Sequence, residues 1–142
     1  MWTTPGWGDC LPLISLAGLL MSIPACSTPS SPTVRDEKGE LIHKLQEAVQ
    51  LLQTYEQQGR GPARSLDDLR HLENAYPSGY TAIRSGELLV RWGLTLAQAN
   101  AQPVVCERAG PTHGGLAALP DGTILSLPSS ELSLFADKSH SK

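Results

Sequence analysis

Residues 36–136 predict an α+β domain: two N-terminal helices packed on a small, mainly antiparallel sheet, with a short terminal helix. Three observations carry that expectation. A helical period runs through residues 37–58, short β-forming runs recur after residue 86, and the string Leu119-Pro120-Asp121-Gly122-Thr123 marks a hairpin turn.

In the first segment Leu41, Leu45, Ala48, Leu52 and Tyr55 recur at steps of four and three, and Ile42 and Val49 widen the stripe. Glu40, Lys44, Gln46, Glu47, Gln50 and Gln53 occupy the other side. Gly59, Gly61 and Pro62 end the helix. Two heptads are too few for a coiled coil, so the stripe is assigned to the domain's own core.

A second helix is expected from Ser65. Ser65 and Asp68 approximate a capping box, Leu66, Leu69 and Leu72 share a face, and Tyr76-Pro77 closes the segment because the residue before proline leaves the α region. The remainder reads mainly as β, with strands at 87–92, 103–107, 115–119 and 123–127. The Pro-Asp-Gly string suits a type I turn with Gly122 in the left-handed region. Ser129 or Ser130 is placed to cap a short helix running to residue 135, and residues 137–142 form a polar tail.

The N-terminal 25 residues have the pattern of a signal peptide. Residues 11–23 form an apolar run broken only by one proline, two serines and a glycine. A spanning helix needs ~20 apolar residues, whereas a secretory core needs ~7–15. The run ends in Ile23-Pro24-Ala25-Cys26, which resembles a bacterial lipobox: an aliphatic residue, a small residue before the cut, then the cysteine. That resemblance implies lipid attachment at the Cys26 sulfur, the thiolate acting as nucleophile, and two or three acyl chains holding the protein to a bilayer. Pro24, and a stretch before the run that has no Lys or Arg and carries Asp9, depart from the usual pattern. Residues 27–35, rich in Ser, Thr and Pro, then read as an extended tether of roughly 25–30 Å. The expected location is the cell membrane or outer membrane, facing periplasm or exterior.

Charge and cysteine content narrow the rest. The net charge is −3, and the 11 Lys and Arg residues are scattered, so the phosphate-binding footprint of a nucleic-acid partner is not expected. With Cys10 in the leader and Cys26 acylated, Cys106 stands without a disulfide partner and is expected to pack as a small hydrophobe.

Val104-Val105-Cys106-Glu107-Arg108, His113-Gly114-Gly115 and Asp121-Gly122-Thr123-Ile124-Leu125 together resemble the C-terminal module of bacterial pseudopilin-like proteins with a His-x9-Asp-Gly signature, and of small lipoproteins with a similar ending. The resemblance spans residues 65–135 loosely and 104–132 best. It implies a strand ending in Glu, a Gly-rich loop, a hairpin over Asp-Gly and a short terminal helix bearing Glu131. Seven residues separate His113 from Asp121, against nine in the signature, and the pilin cleavage motif is absent from the sequence. The resemblance supplies a fold and no activity.

The expected function is therefore that of a lipid-anchored envelope protein. Its partners are the bilayer, through Cys26, and an envelope protein not identifiable from sequence. No cofactor and no catalytic residue are assigned. One alternative is a small envelope hydrolase or metal-binding protein using Glu107, His113 and Asp121 as hard ligands; another is a degenerate pseudopilin-like secretion component. Residues 110–115 lack the Lys-Ser/Thr ending of a phosphate loop and read as a turn. Cys106 with His113 lacks an orienting third group for thiol catalysis. Trp92, Tyr76 and Tyr80 are candidates for a binding surface, although a small core is expected to use most aromatics.

Overall fold

The structure, a computed structural model, describes residues 34–136. The leader, Cys26, most of the tether and the polar tail lie outside the described residues.

Helix α1 spans Val34–Gln57, starting three residues before the periodic stripe and taking in the last two residues assigned to the tether. At 1.5 Å per residue it is ~36 Å long and runs past most of the domain. Leu45, Ala48, Val49, Leu51, Leu52 and Tyr55 are buried along it. Gly59, at φ +74°, ends the helix and donates its N–H to the Glu56 carbonyl at 2.9 Å.

The segment expected to be the second helix is instead a 3-10 helix, Asp67–Leu72. Leu66, Leu69 and Leu72 are three apart, and three residues per turn places them on one edge, where Leu69 and Leu72 are buried. Only half of the expected capping box forms. Asp68 Oδ2 accepts from Arg64 N at 2.9 Å and Ser65 N at 3.1 Å, while no side chain caps the helix at Leu66.

Pro77 does more than close that segment: it opens helix α2, Pro77–Arg84, which sequence pattern placed in the β region. Proline suits the first helical position because its fixed φ matches the helix and its missing N–H would have been unpaired there. Gly79 lets α2 press on α1, since a Cβ there would sit 2.6 Å from the Ala48 nitrogen. The Gly79 N–H donates to Glu47 Oε2 at 2.9 Å, so α1 supplies the N-terminal acceptor of α2.

Four strands follow, β1 Leu88–Val90, β2 Val105–Glu107, β3 Gly115–Ala118 and β4 Ile124–Leu127, as an antiparallel meander in the order β1-β2-β3-β4. The register sets Leu89 opposite Cys106, Cys106 opposite Ala117 and Ala118 opposite Ile124. Strand alternation therefore gives two apolar faces. Val90, Val105, Ala118 and Ile124 join the main core with α1 and α2. Cys106, Ala117, Leu89 and Leu127 form a second cluster with Leu132 and Phe135, from helix α5, Ser129–Leu132, and the 3-10 turn Ser133–Phe135.

Two short helices bridge the strands. Helix α3, Leu96–Ala99, carries the full reciprocal capping box, between Thr95 and Gln98, that was expected at Ser65. Helix α4, Gly110–His113, occupies the stretch read as a turn. The serine cap expected for α5 is absent: extended Pro128 is the N-cap, with no side-chain bond, and Ser129 is already helical. The hairpin forms as expected. Leu119 N–H donates to Thr123 O at 2.9 Å, Gly122 N–H to Leu119 O at 3.0 Å, and Gly122 sits at φ +88°.

Candidate functional site

Glu107 ends β2, and its carboxylate turns back on the sheet to accept the Leu116 N–H at 2.8 Å. Gly115 is required beneath it, because a Cβ there would fall on the carboxylate. Gly114 has φ +77°, and a side chain on it would also meet the Leu127 carbonyl at 2.9 Å. Gly110 lies against Leu132 and the Cys106 sulfur. Gly115 and Glu107 thus explain one another, while Gly114 and Gly110 each answer to a different close approach.

Cys106 is fully buried, and burial together with the Glu107 carboxylate pushes its thiol up to about 12. It is a neutral thiol at physiological pH and a packing residue, as expected. Asp121 serves the hairpin: its Oδ1 accepts the Thr123 N–H at 2.9 Å, which holds the carboxyl below its ordinary range.

The three candidate ligands do not converge. Glu107 and the exposed His113 lie at the end of the sheet where β3 begins, whereas Asp121 lies in the turn beyond the other end of β3. Four residues of strand separate them, roughly 13 Å at 3.3 Å per residue. Among the described residues no group of three or more His, Cys, Asp or Glu side chains is placed to hold a metal ion.

What Glu107 borders is an open groove of about 520 Å³ lined by Glu37, Leu41, Ser85, Glu87 and Arg108. An adjoining groove of about 410 Å³ shares Glu87 and adds Glu40, Lys44 and Thr81. Lys44 joins the two, donating to Glu87 Oε1 and to Glu40 Oε1, each at 2.8 Å. Those hydrogen bonds raise the ammonium above its ordinary range, and the Lys44 partner holds the Glu40 carboxyl below its own. Of these side chains the sequence singled out Glu107 alone; Lys44 and Glu87 are 43 positions apart, with no local spacing to link them.

Tyr80 is buried, and Tyr76 and Trp92 pack half-buried against the main core, so the three aromatics do not form one exposed surface. No protein-family model, curated protein or solved structure matches this chain.

Proposed function

We propose that this chain is a lipid-anchored protein of the cell envelope whose α+β domain is a binding or structural module held at a bilayer by acylated Cys26. The observation that carries the reading is the apolar run 11–23 ending in Ile23-Pro24-Ala25-Cys26, with a folded domain starting at Val34. Seven residues separate that cysteine from the helix, enough for a tether of roughly 20 Å at 3.1 Å per residue. Leu125 on edge strand β4 and Leu134 are the exposed large apolar side chains among the described residues, and they suit contact with a partner protein.

A degenerate pseudopilin-like component is the second reading. In its support, β2 ends in Glu107, the Gly-rich α4 segment and the β3–β4 hairpin over Asp121-Gly122 follow, and short α5 bears Glu131, the element order the resemblance implies.

Intact mass of the processed protein, expressed in a bacterium with a lipoprotein pathway, tests the first reading. The expected species begins at Cys26 and carries acyl chains, and Cys26→Ser abolishes both acylation and membrane retention. An unacylated native chain, or a Cys26→Ser protein still firmly membrane-bound, overturns it.

A further inference from the structure

Asn100 is the one residue other than glycine with positive φ among the described residues, at φ 56° and ψ −127°. A type II′ turn from Ala99 to Gln102 holds it there, closed by the Gln102 N–H donating to the Ala99 carbonyl at 3.0 Å. Helix α3 ends on the same residue, whose own N–H donates to the Ala97 carbonyl at 3.3 Å. Glycine is the usual occupant of such a position, and a side chain there carries strain.

The value of ψ matters chemically. Around the Cα–C bond of an L-residue, Cβ lies about 120° behind the amide nitrogen, so ψ −127° brings the Ala101 nitrogen within about 7° of eclipsing the Asn100 Cβ. That torsion must be near zero for the Ala101 nitrogen and the Asn100 Cγ to join in a five-membered ring. Asn100 is exposed, and neither its side-chain amide nor the Ala101 N–H has a hydrogen-bond partner among the described residues. Ala101 adds only a methyl group beside the reacting atoms.

We propose that Asn100 is a site of spontaneous modification, its amide converted through a cyclic succinimide to aspartate and isoaspartate. The Ala101 nitrogen attacks Cγ, and its proton and the Nδ2 group leave as ammonia when the Cγ–Nδ2 bond breaks. Water then opens the ring at Cγ to give aspartate, or at the Asn100 main-chain carbonyl to give isoaspartate, in which the chain runs through Cβ. No group is oxidised or reduced. The ring keeps the torsion that the turn already imposes, so closure starts from a near-attack geometry. Either product adds a negative charge to the connection between α3 and β2. The site does not depend on membrane anchoring.

The chain holds its own control. Its other asparagine, Asn74, is also exposed and also followed by alanine. There φ is not positive, and the Ala75 N–H donates to the Leu72 carbonyl at 3.0 Å, which occupies the nitrogen that would attack.

The test incubates the full chain at mildly alkaline pH and follows both asparagines by peptide mapping, with electron-transfer fragmentation to separate aspartate from isoaspartate. In the folded chain Asn100 is expected to convert at least about tenfold faster than Asn74, the gain of a preset geometry. In guanidinium chloride the two Asn-Ala sites should convert at similar rates, and Asn100 more slowly than when folded. Asn100→Gly, which accepts the positive φ, removes the fast phase of ammonia release and leaves Asn74 unchanged. Equal rates at the two sites in the folded chain overturn the proposal, as does an Asn100 rate that unfolding leaves unchanged or raises.

Discussion

On one face of the sheet, Val90, Val105, Ala118 and Ile124 meet a 24-residue helix backed by α2; on the other, Leu89, Cys106, Ala117 and Leu127 meet the seven residues of α5 and the following 3-10 turn. The first face is filled by bulk. Leu45, Leu51 and Leu69 are fully buried there, and dispersion and apolar burial accumulate over many neighbours. The second is closed by smallness. Cys106 and Ala117 are short, and Gly110 admits Leu132, so a very short helix seals the sheet. A thick layer hemmed in by backbone resists exchange of volume, whereas a thin cover of side chains can shift to absorb it.

The largest expected effect separates these layers directly. Leu45→Ala should cost about 3–5 kcal/mol in urea unfolding, because α1 is hemmed in and the cavity cannot collapse. Leu132→Ala should cost about 2 kcal/mol, since a seven-residue cover relaxes more easily. Equal losses would show that the two layers are equally rigid.

Next come the glycine contacts. Gly79→Ala should destabilise by about 2–3 kcal/mol, because its Cβ would be 2.6 Å from backbone nitrogen of α1. Gly110→Ala should cost less than about 1 kcal/mol, since it meets the movable Cδ1 of Leu132 at 2.8 Å. Thermal melts of the pair distinguish backbone from side-chain resistance.

Cys106 sharpens the comparison through pH. Its folded value, about 12, lies above the ordinary 9.0, so between these limits the unfolded chain has lost a proton that the native one keeps. Stability is therefore intact below about 9 and falls as pH rises, by up to about 1.4 kcal/mol per unit. Cys106→Ala should remove that component of the slope in chemical denaturation at pH 9–10.

The smallest effect belongs to the surface of α1. Lys44→Met removes the link to Glu40 and Glu87 and should cost less than about 1 kcal/mol, diminishing in high salt. A larger, salt-insensitive loss would mean that Lys44 fixes the groove as part of the core.

Much of the fold was legible because its signals are local. The α1 stripe, the termination at Gly59 and the Asp121-Gly122 turn each depend on residues within a few positions of one another. Helix α2 was hidden because eight residues offer little periodicity, and Pro77 reads equally as an end or a beginning. On the polar side of α1 Glu40, Gln46 and Gln50 are exposed, but other polar side chains of the helix have partners that no local pattern shows. Lys44 reaches Glu87, Glu47 caps α2, Gln53 Nε2 donates to the Pro120 carbonyl at 2.8 Å, and Glu56 accepts the Leu96 N–H at 2.8 Å. Polar side chains look alike in sequence whether their partner is water or a distant backbone group.

The candidate site divides similarly. Glu107, Gly114, Gly115 and Asp121 stood out in sequence, and the structure gives them backbone work in a compact module. The Lys44 cluster with Glu40 and Glu87 did not stand out, because it joins α1 to a residue 43 positions away.

By itself the sequence determined the α+β class, the period of α1 and the hairpin turn, because short-range sterics and hydrophobic spacing suffice for each. Tertiary structure alone decided that residues 67–72 wind as a 3-10 helix, that α2 docks on α1 through Gly79, and that Glu107 folds over Gly115. Those outcomes depend on contacts between distant segments, whose energies exist only once the chain has brought them together.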